Sequence, residues 1–297
     1  MKTIDLHMHS SCSMDGEFSP AELMRMSKAA GLSLVSLTDH NCVRGLDEAE
    51  KAAAELGLGF VRGVELDCRC KGTDLHLLGY GFSGGDDAVG RLEADLQRQN
   101  LDNGEARLRI IHEMGIHFDG DKVRALAAAS NGGFIINEMI MNVALADPRN
   151  RNNPMLAPYF PGGPRCDNPS VNFYWDHCAQ GKPGYLEYDL ISFEEAQSLI
   201  TSLGGFSVIA HPSVTVKQDE KLIAYMRDNG VTGLEVCSSY HSPDHVEYYR
   251  RLAERLDFVK TVGSDFHGKL KPGIKLATGG AVPEEPGLVD FILSRAS

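Results

Sequence analysis

The chain has no uninterrupted apolar run of the length a membrane span needs, and its opening, MKTIDLHMHS, lacks the apolar core of a secretory leader. No membrane partner is expected, and the reading is of a cytoplasmic protein. A disulfide framework is also missing: the seven cysteines are odd in number and without framework spacing, so reduced thiols are expected. Cys68 and Cys70, the one close pair, read as hairpin residues. No basic stretch could track a nucleic-acid backbone and the formal net charge is −12, so long nucleic acid is not an expected partner. A small anionic substrate held by cations is compatible with that charge, because bound divalent ions would offset part of it. The low hydrophobicity of disordered chains is absent too. With 42% hydrophobic and 24% charged residues, the 297-residue chain has the composition of a globular protein and the length of one large barrel.

Apolar, β-branched runs alternate with helical patterns, which argues for parallel strands joined by helices. Strands are predicted at Thr3–Leu6, Leu32–Thr38, Phe60–Leu66, Asp74–Tyr80 beside the third, Phe206–Ala210, Gly233–Cys237 and Phe258–Val262. Ser19, Pro20 and Glu22 form a helix start with a capping box, Gly31 ends that helix, and Ser192 with Glu195 makes a second box. From about residue 86 to 188 the alternation lapses into helical patterns followed by a loop with six of the thirteen prolines. The fold expected is α/β: a barrel domain over 1–85 and 189–297, interrupted by a mainly helical insertion over 86–188. The proline-rich loop is too long for an ordinary connection and reads as a substrate lid or a tether.

Imidazoles and carboxylates stand where the apolar runs end. His7 and His9 follow the first, His40 the second, Glu65 closes the third, His76 lies in the fourth, His211 follows IA, Asp265 and His267 follow TVG, and Asp15 lies nearby in SMDG. Residues two apart on a strand share a face, so His7 and His9 can reach one ion together. In a barrel, the loops at the carboxyl ends of the strands converge on one mouth, which would bring the remaining groups to the same place. Any one of these histidines alone reads as a hydrogen-bonded core residue. Jointly they do not, since burying each unpaired would cost several kcal/mol. Nine donors exceed what one tetrahedral ion takes, so more than one divalent ion is implied, of the zinc, manganese or iron class that suits imidazole and carboxylate.

The motifs DLHMHS, LTDHN, RGVE, HLLGY, IAHP and GSDFHG resemble those of the PHP family, the polymerase and histidinol phosphatase domain, within the amidohydrolase-like superfamily. The resemblance implies a distorted (β/α)7 barrel holding two or three metal ions and hydrolysing phosphate esters. It assigns His7, His9, Glu65 and Asp265 to one ion, Glu65, His76 and His211 to a second, and Asp15, His40 and His267 to a third. Where relatives often read SDG or SDDG, this chain has SMDG, leaving Asp15 as the only carboxylate there. Asp39 beside His40 is read as orienting a ligand imidazole, the alternative being a helix cap.

On the substrate side, Lys182 in GKPGY resembles the end of the inserted segment in relatives and is a candidate for a phosphate oxygen, against the reading of a solvated turn lysine. Where relatives carry an Arg-x-His pair, this chain has Asn137, Glu138 and Met139, so Asn137 takes the corresponding substrate-side position. His241 is read as facing substrate and His245 as lying on the first turn of a surface helix. The expected reaction is hydrolysis of a small-molecule phosphate ester, a monoester or cyclic diester of a nucleotide or sugar, by attack of a metal-bridging hydroxide, with His211 or Asp39 as proton carrier. The competing readings are amidohydrolase-type C–N hydrolysis, a nuclease, and a noncatalytic metal-binding module.

Overall fold

The computed structural model describes residues 3–130, 132–277, 287–288 and 291–292. The chain divides into two compact units, one comprising 1–93, 190–267 and 274–297, the other 94–189 and 268–273.

The first unit is built on one sheet. Its strands are β1 (Thr3–Asp5), β2 (Leu32–Leu37), β3 (Gly59–Cys70), β4 (Thr73–Tyr80), the two-residue β5 (Ile191–Ser192), β6 (Phe206–Ile209), β7 (Gly233–Ser238) and β8 (Val259–Gly263). The order is β1-β2-β3-β4-β6-β7-β8, with β5 pairing β3 off this path. β4 runs antiparallel to both β3 and β6, and the other neighbours along the path are parallel. Past the strand ends the first and last segments meet: Leu6 N–H donates to Val262 O at 3.0 Å, Asp265 N–H to His7 O at 2.8 Å and His9 N–H to Phe266 O at 2.9 Å. The sheet is thus a nearly closed barrel of seven mixed strands, as the β/α alternation led one to expect.

The β3 strand is longer than predicted because it continues into a hairpin with β4. Lys71 and Gly72 both have positive φ, at 48° and 84°, the two-residue turn whose twist matches a hairpin. Cys68 and Cys70 lie on that hairpin with reduced, buried thiols. Helices α1 (Pro20–Ala29) and α2 (Leu46–Glu55) cover one side, and the Ser19 capping box is formed as read from sequence. In the later half stand α7 (Phe193–Ser202), with its Ser192 box, α8 (Glu220–Asp228) and α9 (Pro243–Leu256).

Alternation along the strands separates two cores. Leu34, Val61, Leu78, Tyr80, Phe206 and Val208 form an inward set with Leu6, Leu288 and Ile292. Val35, Val64, Leu66, Leu77 and Ile209 face outward and pack with Leu23, Met24, Leu46 and Ala49 of α1 and α2. On β3 the inward face continues from Val61 through Gly63 to Glu65 and Asp67, so the apolar filling gives way to carboxylates toward the carboxyl end of the strand.

The second unit holds most of α3 (Asp86–Glu113), followed by α4 (Gly120–Ala129), α5 (Asn137–Ala146) and α6 (Pro169–Phe173). The proline-rich stretch is organised by short 3-10 turns at Pro148–Asn150 and Ala157–Tyr159. Asn150 is fully buried, donating to Ala144 O at 2.7 Å and accepting from His117 N–H at 3.0 Å, which supplies the backbone partners a structureless loop would lack. Arg149 pairs with Asp147, and Arg165 lies 3.0 Å from Asp176, so these two of the three loop arginines are neutralised locally. Among the described residues no helix is long and apolar enough to cross a membrane.

Candidate metal centre

Three overlapping groups of donors gather where the strands of the first unit end: His7, His9, Glu65 and Asp265; Glu65, His76 and His211; and His9, Asp15, His40 and His267. Within each, one ligand atom per residue lies within 4.8 Å of the others. A fourth group joins His40, Asp67 and His76. Glu65 is the hub. Its Oε2 lies 3.1 Å from the Nε2 atoms of His7 and His9, and its Oε1 lies 2.8 Å from His76 Nδ1 and 3.0 Å from His211 Nε2. All nine residues expected as ligands are therefore brought together.

Backbone geometry explains the convergence. Glu65 N–H donates to Asp39 O and Asn41 N–H to Glu65 O, which extends the β2–β3 pairing past the strand end and sets His40 opposite Glu65. His211 directly follows Ala210 beyond β6 at φ 22°, and Asp265 follows β8 at φ 57°, two left-handed non-glycine residues held at the barrel mouth. Gly263 gives the sheet room there. A Cβ on it would lie 2.1 Å from His7 Cβ and 2.5 Å from a Glu235 oxygen, closer than any side chain tolerates.

The electrostatics are those of charges in need of partners. Burial is the largest influence on Glu65 and would raise its carboxyl, yet the imidazoles of His7, His40 and His76 together hold it well below the usual range. Burial likewise opposes protonation of His40, but Glu65, Asp67 and Asp15 push its imidazole up to about 10. His9 goes the other way, lowered by burial and by neighbouring His267.

The fit to cations rests on an observation at His9. Its ring is fully buried and neither nitrogen makes a hydrogen bond among the described residues, yet Nε2 lies 3.1 Å from a Glu65 oxygen and 3.1 Å from an Asp265 oxygen. Donors that approach this closely without pointing at one another are arranged about a common point, and imidazole with carboxylate is the donor set that divalent transition metals take.

Four residues that sequence reasoning missed support the cluster. Glu235 on β7 accepts from His211 N–H at 2.6 Å and lies 3.1 Å from His7 Nδ1, aimed there where the β7–β8 register shifts between Glu235 and Cys237. Asp5 accepts from Ser264 N–H at 2.9 Å and His7 N–H at 3.3 Å. Asp67, two residues beyond Glu65, was detectable by the same-face spacing that paired His7 with His9. Tyr240 also enters, its hydroxyl donating to Asp265 Oδ2 at 2.6 Å.

Asp39 turns both carboxylate oxygens to Ser10, accepting from its N–H at 2.6 Å and its hydroxyl at 2.7 Å. It thereby pins the loop after His9, in place of the direct bond to an imidazole that its position beside His40 suggested. Burial pushes its carboxyl up to about 6. Asn137 opens α5 with its side-chain oxygen buried and without a hydrogen-bond partner among the described residues, and Lys182 is an exposed turn residue; both belong to the second unit. His245 lies on the first turn of α9, as expected.

His241 is committed to the protein. Its Nδ1 bonds Val236 O at 2.8 Å, its Nε2 accepts from Ser213 N–H at 3.4 Å, and its ring stacks on Tyr249. This fixes the neutral ring with hydrogen on Nδ1, and burial pushes it down from 6.5 to about 4. Between those values the unfolded chain takes up a proton that the folded chain refuses, so folding stability falls as pH drops through that window, by at most about 3 kcal/mol. Denaturant unfolding of the metal-free protein at about pH 7 and about pH 4.5 should show a smaller acid loss for His241→Gln than for wild type. Equal losses would remove His241 as a contributor.

A seven-stranded barrel sheet with such donors at its strand ends defines a metal-dependent hydrolase. A model of the PHP domain matches residues 5–146. A 3′,5′-nucleoside bisphosphate phosphatase of Chromobacterium violaceum is 30% identical over 280 residues, 90% of this chain and 88% of that protein. A 5′-3′ exoribonuclease of Haemophilus influenzae is also 30% identical, over 269 residues and 90% of each chain. The structure of an amidohydrolase from Chromobacterium violaceum with bound sulfate matches at a TM-score of 0.75 and 26% identity, over 99% of this chain and 96% of that one. The chain belongs to the PHP family.

Proposed function

We propose that this protein is a cytoplasmic phosphatase of small phosphorylated metabolites, nucleotide or sugar esters, working with two or three divalent ions of the zinc, manganese or iron class. The reaction class is phosphoester hydrolysis. The observation that carries the reading is the sharing of donors. Glu65 serves two of the groups and His9 serves two, so ions held there would lie side by side, the arrangement that grips a phosphoryl group. His7, His9, Glu65 and Asp265 would hold one, Glu65, His76 and His211 a second, and Asp15, His40 and His267, with His9, a third. Such ions supply water activation near neutral pH and neutralise phosphoryl oxygens.

The residues of the chain do the rest. Glu235 orients His7 and the backbone of His211, Tyr240 holds Asp265, and Asp39 fixes the loop that follows His9. Of the two candidate proton carriers, His211 is the better placed, since both oxygens of Asp39 are taken by Ser10. Lys182 and Asn137 are proposed as phosphate contacts on the sequence pattern alone, and the Chromobacterium violaceum amidohydrolase structure carries a bound sulfate and no metal.

The exoribonuclease among the relatives gives a second reading, a 5′-phosphorylated RNA end as substrate. The acidic net charge of −12 favours the small molecule. Phosphate release from 3′,5′-nucleoside bisphosphates, nucleoside monophosphates and sugar phosphates, run beside shortening of a 5′-phosphorylated oligoribonucleotide, separates the two, with metal content measured in the same preparation. The expected result is phosphate release from small esters with little shortening. Shortening alone would install the RNA reading, and a metal-loaded protein inert toward every phosphoester would refute both.

A further inference from the structure

An imidazole that gives one ring nitrogen to a cation leaves the other to be satisfied, and the group that satisfies it fixes the tautomer and the ring orientation. In the group of Glu65, His76 and His211 the close atoms are Glu65 Oε1, His76 Nδ1 and His211 Nε2, separated by 2.8, 3.0 and 3.3 Å. His76 therefore turns Nδ1 to the group and leaves Nε2. In the group around Asp15, Oδ2 of that residue lies 3.0 Å from His267 Nε2 and 3.8 Å from His40 Nε2, so His40 leaves Nδ1.

Both remaining nitrogens lie close to the same atom. Asp67 Oδ1 lies 3.0 Å from His76 Nε2 and 3.4 Å from His40 Nδ1, while Glu65 Oε2 stands 3.5 Å from the latter. Among the described residues the buried His40 Nδ1 makes no hydrogen bond, so Asp67 and Glu65 are the carboxylates within reach of it. The placement follows from register: Asp67 is the cross-strand partner of His76 in the β3–β4 hairpin and shares the inward face of Glu65. The carboxylate is held from behind by Asn41, whose Nδ2 donates to Oδ2 at 2.5 Å and whose Oδ1 accepts from Asp67 N–H at 3.1 Å. Asn41 does this from a left-handed conformation, at φ 48°, which asparagine tolerates better than most residues.

We infer that Asp67 is a shared positioning carboxylate, which fixes the ring orientation of His76 in one donor group and of His40 in another, so that the two corresponding ions load together. This rests on the metal-centre reading above. It differs from the simpler use of the same cluster, in which Asp67, His40 and His76 would directly ligate an ion of their own. A positioning carboxylate changes affinity and leaves capacity intact, whereas a ligand changes capacity.

Zinc titration of the metal-free wild type and of Asp67→Asn by calorimetry, with zinc per chain measured at saturation, separates these cases. Two binding steps should weaken together in the variant by about 10- to 100-fold. The remaining step should be unchanged and the final zinc content equal to wild type. In the zinc-loaded proteins the ring N–H proton signals of His40 and His76 should both move on substitution, which a general loosening of the fold would not confine to those two rings. Should Asp67→Asn fold poorly, Asn41→Ala, which releases the carboxylate without deleting it, should weaken the same two steps by a smaller factor. One zinc fewer at saturation, a single weakened step, or an unaltered titration would each overturn the inference. A wild type that takes up no zinc would overturn the metal-centre reading itself; a normally loading wild type beside an unaltered variant overturns only the role of Asp67.

Discussion

Glu65→Ala should abolish phosphate release and strip metal from the protein, because this one side chain belongs to two of the donor groups. Its two oxygens lie within 3.1 Å of four imidazoles, those of His7, His9, His76 and His211, at a position with no solvent exposure. Loss of a single preorganised donor costs about 10²- to 10³-fold in rate, and a carboxylate common to two ion groups should cost at least about 10³-fold. Stability should fall as well. His7 is held well above the ordinary imidazole range by Glu65, Glu235 and Asp265 against the opposing effect of burial, so the metal-free site contains a buried cation whose principal counter-charge would vanish. Breaking a buried pair from one side costs about 3–5 kcal/mol. Turnover, metal content and denaturant unfolding of the metal-free variant measure the three effects. Glu65→Gln keeps the volume but not the charge and should recover part of the stability while remaining inactive. An alanine variant with wild-type turnover and a wild-type metal load would dissolve the centre as drawn.

The ligands themselves were legible because two elementary periodicities place them. The β/α alternation marks where strands end, and the two-residue repeat of a strand puts His7 with His9 and, on β3, Glu65 with Asp67. Only the first of those pairs was recognised from sequence. Asp67 sits between apolar Leu66 and Cys68 in a segment that reads as a hairpin arm, and its role depends on the cross-strand register with His76, which the turn at Lys71–Gly72 sets. Glu235 was harder still. A single carboxylate inside the strand GLEVCS has no local partner; the group it serves, His7, is 228 residues away in sequence, and the β7 irregularity that aims it inward leaves no composition signal. His241 illustrates the reverse error of emphasis. A histidine three residues past a strand end looks like a site residue, but its nitrogens are spent on Val236 and Ser213. The order of the sheet was readable up to β4, whose antiparallel placement beside β3 follows from the short connection. That β6 then pairs β4, with β5 set aside against β3, depends on packing after a long insertion.

Glu235→Ala should be strongly destabilising although Glu235 lies outside the ligand set, and its cost can be traced atom by atom. Each oxygen of this buried carboxylate has its own partner, Oε1 with His7 Nδ1 at 3.1 Å and Oε2 with His211 N–H at 2.6 Å. Alanine leaves two buried polar groups unpaired, about 1–3 kcal/mol apiece. It also removes the tether that holds His211 in its left-handed conformation at φ 22°, a strain of about 1–3 kcal/mol that the surroundings must overcome for the ring to face Glu65. A total of about 3–5 kcal/mol is expected in the metal-free protein, the usual cost of removing one side of a buried charged pair. Metal affinity should fall about 10- to 100-fold, since the carboxylate behind a ligand imidazole sets its orientation and basicity. Glu235→Gln makes the argument specific. A glutamine has one acceptor oxygen where glutamate has two, so it can satisfy His7 or His211 but must turn its amide N–H groups toward the other; the loss should be intermediate. Because Glu235 touches no substrate in this scheme, activity of either variant should return at high metal concentration, whereas Glu65→Ala should stay inactive at any concentration. A Glu235→Ala protein that unfolds at the wild-type denaturant concentration and binds metal with wild-type affinity would show that His7 and His211 are held by the barrel backbone alone.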